Sequence, residues 1–237
     1  MAQLRISMML FCVLTTLSGC KRLIDWGNQT FNQGIDLVYN KELIERYIKS
    51  ISVYEQGTTL AKFDALWLGD EVRAEYAKIH VLTTGKTDEQ YQGLLRRQLE
   101  ENKHFISFYV LSVYDNPLGS PDSEWRVSLR VNDIELAPTE IKVIELVPEY
   151  HLFLNKHINR FRASYRIMFD AKTIDDIALV DAGTTYLELI FRSMKKQTQL
   201  RWDIDAEHKV FIPIEDVCDQ NVKKIVRKRI RIKEVAE

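Results

Sequence analysis

From residue 105 the apolar positions recur every second residue, and the chain keeps that period through most of its second half. Residues 105–113 (FISFYVLSV) are apolar on both faces, as a central strand must be. Trp125, Val127, Leu129 and Val131 then alternate with Arg126, Ser128 and Arg130. Asn132-Asp133 tolerates the positive φ of a tight hairpin turn. Residues 134–136 and 141–146 continue the sheet, with Pro138 and Pro148 as breaks. Phe161, Ala163, Tyr165, Ile167 and Phe169 alternate with Arg160, Arg162, Ser164 and Arg166. Leu187, Leu189 and Phe191 face away from Tyr186, Glu188 and Arg192, and Leu200, Trp202 and Ile204 face away from Arg201, Asp203 and Asp205. Such short strands, separated by turns like Asn116-Pro117, cannot be rearranged into helices without scattering their apolar faces. They predict an antiparallel β-sandwich with Trp125 and Trp202 in its core.

Residues 40–104 read differently. Asn40 is placed to cap a helix whose stripe is Leu43, Ile44, Tyr47, Ile48 and Ile51. Gly57 ends that stretch, and Ala61, Phe63, Ala65 and Trp67 alternate as a strand. Two helices are predicted next. Residues 70–80 gather Val72, Tyr76 and Ile79 on one side, with Glu71, Arg73, Glu75 and Lys78 elsewhere. Beyond Gly85, Thr87 and Gln90 have capping-box spacing, and Tyr91, Leu94, Leu95 and Leu99 form a stripe. Arg96 with Glu100 and Arg97 with Glu101 are spaced as i,i+4 pairs on a solvated face. The expected class is α+β, mainly β: a helix-decorated sandwich with a helical segment over residues 40–104 and the sandwich over 105–214.

The N-terminus reads as an address. Arg5 is the only charge before Lys21, and residues 6–17 are twelve uncharged, mostly apolar positions. A membrane-spanning helix needs about 20 such residues, whereas twelve suits the apolar core of a signal peptide. Leu17-Ser18-Gly19-Cys20 then resembles the lipobox of bacterial lipoproteins. That resemblance implies a lipid on the Cys20 sulfur, cleavage between Gly19 and Cys20, and acylation of the new amine. Residues 1–19 would be the signal peptide and 20–39 a lipidated tether. Two or three acyl chains on one residue would anchor permanently, because each buried CH₂ contributes about 0.8 kcal/mol. Lys21 in place of Asp implies, by resemblance to lipoprotein sorting, the outer membrane of a Gram-negative cell rather than the inner one. The order of lipobox, short helix, helical segment and β-rich half with strand tryptophans resembles uncharacterised bacterial lipoproteins with immunoglobulin-like domains. No Cys pair straddles a Trp, so antibody-type hallmarks are missing.

The cysteines follow from this address. Cys12 would leave with the peptide and Cys20 would be capped, so Cys218 would remain without a partner in its own chain. It is read as a small buried apolar residue, the other readings being an intermolecular bridge or a reactive thiol. Asp216 and Asp219 beside it would raise a thiol's pKa.

Nothing in the sequence assembles a catalytic motif. His80, His104, His151, His157 and His208 form neither HExxH nor an i,i+4 pair. His151 and His157, placed in a loop or short strand, would need a carboxylate such as Glu149 to bind metal. Asp175-Asp176 lies in a turn-like stretch without EF-hand spacing. Ser164 and Ser193 have no paired histidine in view. No cofactor, no metal and no catalysis are therefore expected. The competing expectation is an envelope enzyme or accessory acting on cell-wall carbohydrate. It would need a deep pocket where acids such as Glu149, Asp175 or Asp205 converge.

Charge is uneven along the chain. The formal net charge is -1, from 33 Lys and Arg against 34 Asp and Glu. Yet Lys223, Lys224, Arg227, Lys228, Arg229, Arg231 and Lys233 give the stretch from residue 222 a net +5, and residues 20–221 carry -7. As strand or as helix, residues 215–237 would show a basic surface. It would meet lipid headgroups, lipopolysaccharide or an acidic partner, or it would serve as a basic edge that discourages strand pairing. Nucleic acid is not expected, because the address is outside the cytoplasm. The expected protein is a lipid-anchored envelope component that binds a protein partner or an anionic surface polymer.

Overall fold

The capping residues act where the sequence places them. In the computed structural model, which describes residues 39–113, 118–181 and 183–204, Asn40 Oδ1 accepts the Leu43 amide at 3.1 Å and opens α1 (Lys41–Tyr47). The helix is shorter than its apolar stripe predicts. From Ile48 the chain becomes β1 (Ile48–Glu55), paired antiparallel with β2 (Thr58–Trp67). Ile48 and Ile51, three apart, continue the helical period and fall on opposite faces of a strand, and pairing with β2 overrides the helical pattern. The hairpin turns through Gln56 and Gly57, with φ of 49° and 82°, the positive values that a two-residue turn of matching twist demands.

Helix α2 (Asp70–Thr84) ends at Gly85, whose φ of 67° is left-handed. Helix α3 (Asp88–His104) starts with the expected capping box, Thr87 and Gln90 each bonding the other's backbone amide. It passes directly into β3 (Phe105–Ser112). Then come β4 (Arg126–Val131), β5 (Ile134–Leu136), β6 (Glu140–Val143), α4 (Pro148–Leu154) and a single 3₁₀ turn (Asn155–His157). The strands β7 (Ala163–Asp170), β8 (Tyr186–Arg192) and β9 (Gln197–Asp203) complete the described elements. Among the described residues, no helix is long and apolar enough to cross a membrane.

Two antiparallel sheets result, in the orders β1-β2-β3-β7-β6 and β5-β4-β8-β9. The fold is α+β, mainly β, with helices added to the sheets. Residues 40–104 are not a separate body, because β1 and β2 complete the sheet of β3 and β7. One apolar core joins both sheets. Phe63 of β2 stacks on Phe191 of β8 at 4.0 Å between ring centroids and meets the edge of Trp125 at 5.2 Å. Phe108 of β3 touches Trp202 of β9 at 5.2 Å. Trp125 and Trp202 are thus core residues, as the alternation predicts. Truncating one such aromatic to Ala costs about 3–5 kcal/mol.

The opposite face of the first sheet carries the helices. Tyr109 on β3 meets Tyr150 of α4, and Arg166 on β7 meets Glu101 of α3. The first and last described elements also meet: Trp202 Nε1 donates to the Tyr47 carbonyl at 2.9 Å.

Two local expectations fail. The alternation does not extend to Phe161, which is 70% exposed with the Arg160 guanidinium over its ring. Arg162 turns inward instead, its side chain only 2% exposed. Pro148 starts a helix, because Pro is tolerated at the first helical position, so His151 is helical and His157 lies in the 3₁₀ turn. Glu188 lies on the face of β8 opposite Leu187 and Leu189, where it is buried beneath Arg130 and Arg201.

Candidate functional site

Gly19 and Cys20 lie outside the described residues, as do Cys218, His208, Asp205 and the basic residues from Lys223 to Lys233. The described residues hold a different concentration of chemistry, on the helix-covered face of the first sheet. Its base is set by strand register. Tyr109 on β3 lies directly opposite Arg166 on β7, and Arg166 opposite Lys142 on β6. Above them, α2 brings Arg73, Tyr76 and His80 to one side, since spacings of three and seven residues return to the same helical face. Helix α3 contributes Gln98 and Glu101, three apart, and α4 contributes Glu149 and Tyr150.

The charges interlock. Arg73, 2% exposed, donates from Nε to the Leu68 carbonyl at 3.2 Å. Its Nη1 donates to Gln98 Oε1 at 2.7 Å and to Glu101 Oε2 at 3.1 Å. The other Glu101 oxygen accepts from Arg166 Nη2. Two guanidinium groups therefore share one carboxylate. This corrects the solvated-face expectation for α3: Glu101 turns to Arg73 and Arg166, and Glu100 meets Lys103 and His104. Arg73 Nη2 and Arg166 Nε are buried and have no hydrogen-bond partner among the described residues.

Three tyrosines fill the space between these charges. Tyr76 stacks on Tyr150 at 4.8 Å, and Tyr109 meets the Tyr150 ring edge-on at 4.7 Å. Burial raises the hydroxyl pKa of all three. Arg166 and Arg73 pull Tyr109 the other way, while the Glu149 charge pushes Tyr76 further up. Beside Tyr76, His80 Nδ1 lies 2.7 Å from Glu149 Oε1, and Lys86 Nζ lies 2.7 Å from His80 Nε2. An ammonium only donates, so Nε2 accepts and Nδ1 carries the proton given to Glu149. Glu149 is thus engaged by His80 rather than by His151 or His157.

A second polar cluster pins the loop before β7. Asp64 on β2 is fully buried. Its carboxylate accepts from Arg162 Nη1 and, at 3.0 Å, from His157 Nδ1. Arg162 Nη1 also donates to the His157 carbonyl at 2.7 Å. His157 Nε2 is buried with no hydrogen-bond partner among the described residues. Asp175 and Asp176 occupy an exposed turn where Lys172 Nζ donates to Asp176 Oδ1 at 2.6 Å. Among the described residues, no group of three His, Cys, Asp or Glu side chains is placed to hold a metal ion. Ser193 is spent on its own turn, accepting the Lys196 amide at 3.0 Å.

The sequence signal for the first cluster is the set Arg73, Tyr76 and His80 at one helical face. Placing Arg73 apart from the side that carries Tyr76 hid it. For the second cluster the signal is Asp64, a lone charge inside the run from Phe63 to Leu68. No protein-family model matches the chain, and no curated protein matches it. Among solved structures it is similar to a Burkholderia pseudomallei protein of unknown function, at 13% identity and a TM-score of 0.36. That likeness covers 78% of this chain and 90% of the other.

Proposed function

We propose that this chain is a lipid-anchored protein of the bacterial cell envelope, held in the outer membrane, whose body binds a partner rather than catalysing a reaction. The observation that carries the reading is the N-terminal order: Arg5, an uncharged run over residues 6–17, and Leu17-Ser18-Gly19-Cys20. A thiol at that position is the nucleophile that lipid transfer needs. Small residues before it let an extended chain enter a protease groove. The partner-binding half is supported by how the polar groups are used. Among the described residues, His80 and His157 each spend Nδ1 on a carboxylate, so that Glu149 is held by His80 and Asp64 by His157. The basic stretch from Lys223 to Lys233 supplies a surface for anionic headgroups or an acidic polymer.

The test is metabolic labelling with a clickable palmitate analogue, together with envelope fractionation. The parent chain takes up label and sediments with outer membranes, and Cys20→Ser does neither. Equal labelling and equal membrane association of the two would overturn the proposal.

A further inference from the structure

We propose that the cluster framed by α2, α3, α4 and the β3–β7 pair is a binding site for a small organic anion, with a carboxylate or phosphate seated between Arg73 and Arg166. Charge is the first ground. Among the described residues the two guanidinium groups share the one carboxylate of Glu101, Gln98 is neutral, and Glu149 is committed to His80. Lys142 opposite Arg166 adds positive charge at the rim, as does Arg97, whose field reaches Tyr76. The cluster is thus short of negative charge in a place where water screens it poorly.

Unused donors are the second ground. Arg73 Nη2 and Arg166 Nε are buried with no acceptor. A buried charged donor left unpaired is costly, and one anion presents two or more oxygens to two donors at once. The arginines already converge on the two oxygens of Glu101, so they are held close enough for a second anion to bridge them.

Access and shape are the third ground. Arg166 is 32% exposed and Glu101 28%, so the cluster reaches the surface on that side. Tyr76 and Tyr109, both half-buried, give ring faces to the organic part of a ligand. The inference does not depend on the lipid anchor.

The test uses the full-length chain in detergent, titrated by calorimetry at pH 7 with inorganic phosphate or with benzoate. Chloride keeps the ionic strength constant, because exposed charges alone would respond to any salt. We expect saturable binding of at least one probe with Kd of about 1 mM or tighter. Phosphate alone assigns a phosphoryl ligand, benzoate alone a carboxylate, and both a site for either. Arg166→Gln should weaken binding about tenfold or more, as expected for losing one charge-assisted contact. Glu101→Gln should tighten it several-fold by removing the competing carboxylate. A purely structural ion pair would lose stability in both variants and move neither affinity. No saturation by either probe up to about 50 mM, well past the weak-binding limit, would overturn the proposal. So would equal affinity in parent, Arg166→Gln and Glu101→Gln.

Discussion

Replacing Arg162 by Met isolates the cost of leaving one charge buried. Asp64 and Arg162 have side chains 0% and 2% exposed, and their ion pair is the main compensation for the Asp64 carboxylate. Met keeps much of the aliphatic volume and removes the charge. His157 Nδ1 remains beside Asp64 Oδ1 at 3.0 Å, but a single imidazole donor does not replace a guanidinium. Breaking a buried pair from one side costs about 3–5 kcal/mol, a large part of the 5–15 kcal/mol that holds a typical domain together. At about 2–4 °C per kcal/mol for a chain of this size, the midpoint should fall by about 6–20 °C. The assay is thermal unfolding followed by tryptophan fluorescence, with urea unfolding at constant slope reading the same loss as free energy. The companion is Asp64→Asn with Arg162→Met, which removes both charges and should recover most of the loss. A double variant no more stable than the single one would refute the reasoning, because the cost would then be lost packing rather than a stranded carboxylate.

Further perturbations separate other contributions. Hydrogen bonding from Arg192 and Ser128 holds the Glu135 carboxyl down at about 2, with Arg192 and Arg130 adding charge. Its stabilising contribution is full above the ordinary carboxylate value of about 4.3 and is lost as pH falls toward 2. Glu135→Gln should therefore lower stability modestly at neutral pH, with the gap to the parent closing as pH falls through that window, so that the acid limb of the stability–pH profile is flatter. Gly119→Ala should destabilise by about 1–3 kcal/mol, since φ is +81° and the new Cβ would lie 2.7 Å from Ile141 Cβ; an unchanged thermal midpoint would contradict this. Deleting residues 223–237 should weaken binding to vesicles of anionic lipid. Binding that stays equal to the parent's across a salt series would remove the basic stretch from the proposed role.

Strand alternation was legible because most strands bury one face between the sheets and hold polar residues on the other. Val127, Leu129 and Val131 are buried as their spacing demands. The β1 segment was not legible, because Leu43, Ile44, Tyr47, Ile48 and Ile51 fit a helix and only the β2 edge makes the last two extended. Parity failed at Phe161 and Arg162 for a related reason: Asp64, 98 residues earlier, draws the arginine inward. The arginine–tyrosine cluster draws on five elements. Its members are far apart in sequence, Arg73 and Glu101 by 28 and Glu101 and Arg166 by 65, so no local window contains it. Capping residues were legible because Asn40 and Thr87 act within three positions of themselves.

The Trp202 indole bond to the Tyr47 carbonyl joins groups 155 residues apart. Its consequence lies in time rather than in stability. A chain delivered residue by residue cannot fix α1 to β9 until nearly all the described body has emerged. The first sheet has the same property, since β3 lacks its β7 neighbour until residue 170 is available. Such distant pairings must meet the loop-closure cost before they return any gain, so folding is late and cooperative. A polypeptide threaded unfolded through a membrane channel would stay open for the length of its passage and close only on the far side.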